Sequence, residues 1–190
     1  MVSHINMGMI VAMTSNSGIG VNGTIPWFYR EDLHHFRNIT MGCPLIMGRK
    51  TWESLPTKPL PGRVHIIITR NPSYTVDHPM VRVVHSREEA FRSAEDAILA
   101  NTDSRNNPDR WAWVIGGEDI YKMFSHHRYL KRIEITQIPD NIQCDRFFVP
   151  FPLWFQKIKY YESAKTPGMY YVTYESRGAD DEIVRRRSFS

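Results

Sequence analysis

The chain has 190 residues, 42% of them hydrophobic and 23% charged, which is typical of one globular domain with a substantial core. No apolar run approaches the length of a membrane-spanning helix, and the N-terminus lacks the charged start and long apolar region of a signal peptide. The net charge of +4 suits an anionic small ligand, whereas the scattered basic residues match no nucleic-acid-binding motif.

We therefore expect a cytoplasmic protein with no membrane partner and with no nucleic acid as its main partner. Cys43 and Cys144 are far apart and form no CxxC pair, which fits two free thiols in a reducing compartment, although one disulfide is also compatible.

Short apolar, β-branched runs alternate with helical patterns along most of the chain. The runs predict strands over 9–13, 44–47, 64–68, 81–84, 111–115, 132–138 and 169–174, and the helical patterns predict helices over 30–39, 49–55, 86–100 and 118–124. Ser86 is the expected N-cap of the third helix, with Glu89 completing a capping box.

This alternation predicts an α/β fold with a mostly parallel central sheet and helices on both faces. No clear helix separates the segments after Arg132, so we expect an antiparallel C-terminal edge. We expect residues 1–177 to form this single domain, with 101–110 as a polar surface loop and 178–190 as a flexible tail whose RRRS run is a solvated charge cluster.

After the first predicted strand, GIGVNG at 18–23 matches the dinucleotide-binding pattern G-x-G-x-x-G. The context that this pattern requires is missing. TSNS separates the strand from the first glycine, Pro26 disfavours a helix just after it, and no acidic residue lies between Leu33 and Trp52. A phosphate cradle at this segment is therefore not predicted.

Three other predicted strands end in residues suited to phosphate binding, which is where ligands bind in open α/β sheets. The second strand runs into 48–51 (GRKT), the third into Thr69 and Arg70, and the fifth into the glycines 116–117. Each junction alone is weak evidence for a ligand site, because a strand–glycine–helix turn is usually only a turn. Together they favour one ligand with several phosphates, and the cations Arg49, Lys50 and Arg70 favour NADPH over NADH.

The segment IPWFYREDLHHF (25–36) carries a candidate catalytic carboxylate. If a helix starts near Tyr29, then Asp32, Leu33 and Phe36 share one face. Asp32 is either a solvent-facing acid that favours the helix dipole or a carboxylate in an apolar cleft that pairs with a cationic or amidine-like ring edge. The residues alone leave both readings open. No metal site or nucleophilic triad is expected, because HExxH, G-x-S-x-G and the G-x-x-x-x-G-K-[ST] loop are missing.

In order and spacing, GIGVNGTIPW, REDLHHF, PLIMGRKTWESLP with PLPGR, IIITR and WVIGGEDIY resemble the dihydrofolate reductase family over about residues 9–177. The resemblance implies NADPH-dependent reduction of 7,8-dihydrofolate to 5,6,7,8-tetrahydrofolate, by hydride transfer to pterin C6 and protonation of N5, for one-carbon and thymidylate metabolism. It also implies a monomer that binds antifolate inhibitors. The alternatives are a same-fold NADPH reductase of another pterin or pyrimidine, and a non-catalytic folate- or NADPH-binding module.

The resemblance implies three catalytic side chains. Asp32 matches the carboxylate that binds the N3 and 2-amino edge of the pterin. Trp27 and Thr136 match residues that position a water and bond that carboxylate, and the proton is expected to reach N5 through this water. Arg63 matches the arginine that pairs with the α-carboxylate of the folate glutamate. The remaining residues implied in substrate binding are apolar, namely Ile10, Leu33, Phe36, Leu55, Leu60 and Ile115.

The residues implied in cofactor binding are Ala12, Ile19, Gly20, Gly48, Arg49, Lys50, Thr51, Thr69, Arg70, His85, Gly116, Gly117, Glu118, Asp119, Ile120 and Tyr121. Glu118 and Asp119 depart from expectation, because negative charge does not help to bind a pyrophosphate, and we expect them to face solvent. In the family, residues matching 14–27 form a mobile loop over the active site. GIGVNG is therefore expected to belong to a lid, where glycine supplies flexibility.

Overall fold

The computed structural model describes residues 5–100, 107 and 109–177. The predicted tail at 178–190 and most of the predicted loop at 101–110 lie outside the described residues. In chain order the elements are β1 (Asn6–Met13), β2 (Gly18–Gly20), α1 (Arg30–Thr40), β3 (Leu45–Gly48), α2 (Arg49–Ser54), β4 (His65–Ile68), β5 (Val81–Val84), α3 (Arg87–Ala100), β6 (Trp111–Val114), α4 (Glu118–Phe124), β7 (Leu130–Gln137), β8 (Arg146–Phe147), β9 (Phe155–Glu162) and β10 (Tyr170–Ser176).

Eight of these strands form one sheet in the order β5-β4-β3-β6-β1-β7-β10-β9. The six strands from β5 to β7 in that order are parallel, and β10 runs antiparallel to both of its neighbours. The predicted α/β fold with an antiparallel C-terminal edge is therefore confirmed. One detail differs from the prediction. Strand β7 still runs parallel to β1, and the strand direction first reverses at β10.

Two apolar clusters fill the two faces of the sheet. Neighbouring residues of β3 alternate between them, with Ile46 in one cluster and Leu45 and Met47 in the other. The first cluster includes buried residues of α3 and α4, and the second includes Trp52 of α2 with Phe36 of α1 packed against it. The central strands are consequently buried on both sides, which explains why they read as continuous apolar runs.

Three strands are absent from the predictions. Strands β2 and β8 are very short and pair with each other, Gly18 with Phe147 and Gly20 with Arg146. Strand β9 lies at the edge of the large sheet, and its residues after Gln156 are all exposed, so no buried face marks it in the sequence.

The start of α3 carries half of the predicted capping box. Ser86 Oγ accepts a hydrogen bond of 3.1 Å from the backbone N–H of Glu89, as predicted. The Glu89 carboxylate, however, accepts from the N–H of His85 at 2.8 Å instead of the N–H of Ser86. Cys43 and Cys144 are both free thiols. Within the described ranges, no helix is long and apolar enough to cross a membrane.

Candidate active site

The structure joins two of the three predicted phosphate-binding strand ends directly. The N–H of Gly48, at the end of β3, donates to the carbonyl of Gly116 at 2.8 Å, and the N–H of Ile115 donates to Ile46 at 2.9 Å. The third end is linked to β5, since Thr69 N–H bonds to Val84 O and the His85 ring nitrogen Nδ1 lies 2.9 Å from Thr69 O. Because parallel strands end at the same edge, these residues share one side of the molecule.

The glycine pair between β6 and α4 is closely packed, and Gly116 has a backbone conformation that favours glycine. The Gly116–Gly117 peptide bond is cis, and Gly116 has a φ of +112°. A Cβ at Gly116 would lie 3.1 Å from the ring of Tyr121, and one at Gly117 would lie 3.3 Å from Thr51 Oγ1. The backbone of the pair is therefore approached closely by two residues that are also predicted to contact the cofactor.

The predicted phosphate-binding cations lie at the rim of this edge. Lys50 and Arg70 are exposed. Arg49 forms an ion pair of 2.9 Å with Glu53, and its guanidinium lies 5.7 Å from the ring centre of Tyr74.

The acids that follow the glycine pair differ from each other. Asp119 is exposed. Glu118 is partly buried, pairs with Lys122 at 2.7 Å and accepts a hydrogen bond of 3.4 Å from the N–H of Phe147. The Glu118 carboxylate therefore interacts with a side chain of α4 and with the backbone of β8. Ile120, which is buried, lies close to Gly48, where a Cβ would be 3.2 Å from its side chain.

Asp32 lies in the first turn of α1 and is half-buried. Its carboxylate hydrogen-bonds to the side chain of Thr136 in β7, which is itself buried and is the register partner of Ala12 in β1. Burial raises the pKa of Asp32, the negative charge of Glu31 raises it further, and the bond to Thr136 partly opposes them. Asp32 therefore faces the sheet and does not point freely into water.

The apolar residues that are predicted to line the substrate site differ in their exposure. Ile10 is buried in the cluster against which the predicted wall residues Phe36, Leu55, Leu60 and Ile115 pack. Leu33, the neighbour of Asp32, is 49% exposed, and Ile25 and Phe28 are 64% and 74% exposed. Large exposed apolar side chains clustered in one segment are typical of a ligand-binding cleft.

Arg63 is a buried cation that lies next to Phe36. Its Nη1 donates to Thr40 Oγ1 at 3.0 Å, its Nε donates to Pro61 O at 3.2 Å, and its guanidinium carbon lies 5.7 Å from the centre of the Phe36 ring. No carboxylate of the described chain pairs with it. Burial and the nearby charge of Arg37 lower the pKa of Arg63, so an incoming anion would relieve both effects.

The predicted lid, 14–27, is fastened to the segment around β8. Asn22 N–H donates to the Asp145 carboxylate at 3.1 Å, and Asp145 N–H donates to Gly20 O at 3.0 Å. Phe148 N–H donates to Ser17 O at 2.8 Å. Ile19 and Trp27, the other predicted site residues of this segment, are half-buried.

The family model described as dihydrofolate reductase matches residues 6–176. This chain belongs to the dihydrofolate reductase family. It is 34% identical over 160 residues to the dihydrofolate reductase of Aedes albopictus, which covers 80% of this chain and 83% of the relative. It is 38% identical over 134 residues to that of Mycobacterium tuberculosis, covering 70% of this chain and 71% of the relative. A bifunctional dihydrofolate reductase-thymidylate synthase of Zea mays is 34% identical over 175 residues, which are 83% of this chain and 32% of that protein.

Three contacts of this dihydrofolate reductase family member escaped the sequence reasoning. Tyr121 Oη donates to the carbonyl of Ile10 at 2.8 Å, and Tyr29 Oη donates to the Asp140 carboxylate at 2.6 Å. Glu31 accepts hydrogen bonds from side chains of the β9–β10 hairpin. In each contact the two partners are more than one hundred residues apart, so no local spacing could have revealed them.

Proposed function

We propose that this protein catalyses the NADPH-dependent reduction of 7,8-dihydrofolate to 5,6,7,8-tetrahydrofolate. The observation that carries the proposal is the placing of opposite charges around Phe36. Asp32, one helical turn before Phe36 on α1, is a half-buried carboxylate, and the guanidinium of Arg63, 5.7 Å from the Phe36 ring centre, is a buried cation. A substrate with an amidine-like ring at one end and a carboxylate at the other complements this pair.

Asp32 would bind the N3 and 2-amino edge of the pterin through charge-assisted hydrogen bonds. A carboxylate in an apolar cleft favours the protonated form of the ring electrostatically. The burial that raises the pKa of Asp32 also brings its proton affinity closer to that needed near neutral pH. The bond to Thr136 holds the carboxylate in place, and we expect Trp27 to position the water that passes a proton to N5.

Arg63 would bind the α-carboxylate of the glutamate moiety. Its fork of N–H donors matches a carboxylate bidentately, which lysine cannot reproduce. Thr40 and Pro61 already fix the guanidinium through one hydrogen bond each, so little side-chain freedom would be lost on binding. Ile10, Leu33, Leu55, Leu60 and Ile115 would supply the apolar walls between the two charged groups.

The residues at the strand ends fit NADPH, which would supply the hydride. Gly48 and the pair 116–117 have no side chain of their own, and a Cβ at any of the three would crowd a neighbouring side chain. A pyrophosphate can approach such a backbone closely. The residues that would hold the phosphates are Arg49, Lys50, Thr51, Thr69, Arg70 and His85, and those that would border the rest of the cofactor are Ala12, Ile19, Gly20, Glu118, Asp119, Ile120 and Tyr121.

The direct test is to mix the purified protein with NADPH and dihydrofolate and to follow the loss of nicotinamide absorbance. We expect turnover by the wild-type protein. The Asp32→Asn variant should lose several orders of magnitude in rate while still binding NADPH. Absence of turnover by correctly folded wild-type protein would contradict the proposal, and equal loss of both properties in the variant would make Asp32 a structural residue.

An Arg63→Lys variant tests the substrate class. We expect dihydrofolate binding to weaken about 10- to 100-fold, because a charged hydrogen-bonded pair contributes about 1.5–3 kcal/mol. Binding of a dihydropterin that lacks the glutamate should stay unchanged and serves as the matched control. Equal effects on both ligands would favour a reductase of another pterin or pyrimidine.

By the same family resemblance we infer a cytoplasmic monomer that antifolates inhibit. Light scattering can test whether the protein is a monomer, and competition binding can test whether antifolates bind to it.

A further inference from the structure

We propose that Glu31 is a positioning residue for Asp32, because its carboxylate ties the first turn of α1 to the β9–β10 turn (residues 163–169) and to β10. The inference rests on the proposed function, since it concerns how Asp32 is presented to dihydrofolate. Glu31 lies within the REDLHHF motif but is not among the predicted site residues.

The tie consists of three side-chain donors on one carboxylate. Ser163 Oγ and Tyr171 Oη both donate to Glu31 Oε1, the latter at 3.1 Å, and Thr166 Oγ1 donates to Oε2 at 3.3 Å. These donors come from the turn and from β10, more than 130 residues further along the chain. Hydrogen bonds to an ionised acceptor are about twice as strong as those between neutral groups.

The turn is itself ordered around Ser163. The Ser163 Oγ that donates to Glu31 also accepts from the N–H groups of Lys165 and Thr166, at 3.0 and 2.9 Å. Ser163 N–H bonds to Met169 O at 2.8 Å and closes the turn. Glu31 therefore binds a turn that is already ordered, and this turn fixes the position of the first turn of α1.

Glu31 and Asp32 hold two neighbouring points of the sheet. Asp32 bonds to Thr136 of β7, while Glu31 bonds to Tyr171 of β10. Thr136 and Tyr171 are direct register partners between these two strands. Two consecutive carboxylates of one helical turn thus hold a single cross-strand pair, so that a shift of Glu31 must also move Asp32.

The hydrogen bonds to Glu31 favour its ionised form next to Asp32. The bonds from Ser163, Tyr171 and Thr166, together with the charge of Lys165, lower the pKa of Glu31 against the opposing effect of burial. On α1 its neighbours are Asp32 and His35, whose pKa burial lowers to about 4, so that the ring is neutral near pH 7. Strand β9 contributes Tyr161, whose pKa is raised by burial and by Glu134 and Glu31, and Lys159, which acts on His35.

Two variants separate the tie from the charge. Glu31→Ala removes both, and we expect kcat/KM for dihydrofolate to fall about 10- to 100-fold, because a misplacement of about 1 Å can cost that much. NADPH affinity should stay within about twofold. Glu31→Gln keeps an acceptor but removes the charge that raises the pKa of Asp32. The decline of kcat with rising pH should therefore shift to lower pH, and so should the Asp32 titration seen by carboxyl ¹³C NMR.

Tyr171→Phe and Glu162→Gln complete the test. The first removes one donor to Glu31, and we expect an intermediate loss of kcat/KM with the charge retained. The second alters a carboxylate of the same hairpin that, among the described residues, accepts a hydrogen bond only from Gly168 N–H, at 2.8 Å, and it should behave as wild type. Wild-type kinetics in Glu31→Ala, or parallel losses of thermal stability, NADPH affinity and rate, would overturn the inference while leaving the proposed function intact. No dihydrofolate turnover by the wild type would overturn both.

Discussion

The hydroxyl of Tyr121 in α4 donates a hydrogen bond of 2.8 Å to the carbonyl oxygen of Ile10 in β1. Both residues are buried. Strand β6 pairs with β1 only as far as Met9, so the Ile10 carbonyl lies just beyond that ladder. The Tyr121 hydroxyl therefore supplies the donor to Ile10 that β6 does not provide, at the place where the predicted substrate and cofactor sites meet.

Replacing Tyr121 by phenylalanine should lower the free energy of unfolding by about 1–3 kcal/mol, because the buried Ile10 carbonyl would lose its donor. Urea denaturation at neutral pH measures the effect. Tyr160→Phe, at an exposed position of β9, is the matched control and should change stability by less than about 0.5 kcal/mol. Equal effects of the two substitutions would show that the bond to Ile10 contributes nothing.

Asp32→Asn should make the protein more stable at neutral pH. Burial raises the pKa of Asp32 in the folded state, so the ionised carboxylate costs stability once the pH rises through that value. Asparagine does not have this cost. The stability difference between variant and wild type should shrink below the ordinary aspartate value of about 3.9, where Asp32 is protonated in both the folded and the unfolded state.

Denaturant unfolding at pH 7.5 and at pH 3.5 would measure this difference, with Asp96→Asn at an exposed position of α3 as control. A variant that is less stable at neutral pH, or a difference that does not depend on pH, would contradict the assigned burial effect.

Gly116→Ala should weaken both stability and NADPH binding. The φ of +112° and a Cβ 3.1 Å from Tyr121 make the substitution strained, at a cost of about 1–3 kcal/mol. Gly168→Ala is the matched control, because its φ is +80° and its Cβ would lie 3.2 Å from Pro139, which is not a predicted cofactor residue. Fluorescence titration should show loss of NADPH affinity in Gly116→Ala alone. Unchanged affinity in a folded Gly116→Ala protein would argue against a cofactor site at this pair.

Two glycines of the predicted lid should respond differently to substitution. A side chain at Gly20 would meet the carbonyl oxygen of Thr24 at 2.9 Å, and the carbonyl of Gly20 is bonded to Asp145. Gly20→Val should therefore displace the lid and lower kcat about tenfold or more. At Gly23 the φ is +77° and the space is open, so Gly23→Asn should be tolerated. Steady-state kinetics compares them, and normal turnover by Gly20→Val would count against a lid.

The sequence predicted the central sheet well because its strands are buried on both sides. Runs such as HIII in β4 have no polar alternation that could be confused with a surface element. Strand β9 (FQKIKYYE) was missed for the opposite reason, since an edge strand that is exposed on both faces carries no buried period. Likewise, β2 and β8 depend on each other across more than one hundred residues.

The candidate site could be predicted only in part. The residue set came from the motifs of the family and remains a prediction. The physical properties of the site could be derived only from the fold. Arg63, which pairs with no carboxylate of the described residues, owes its burial to packing against α1. The hydrogen bonds of Glu31 and Tyr121 depend on which strands become neighbours, and the chain order alone does not determine this.

Strand β9 leaves one edge of the large sheet without a neighbour. Such an edge can recruit a strand from another molecule and so begin aggregation. Here the pairing register of β9 with β10 shifts next to Tyr174, and Lys157 and Lys159 lie exposed on either side of the irregularity. An irregular, positively charged edge is a poor template for a further strand. The register shift and the two lysines therefore protect the protein from associating through this edge of its sheet.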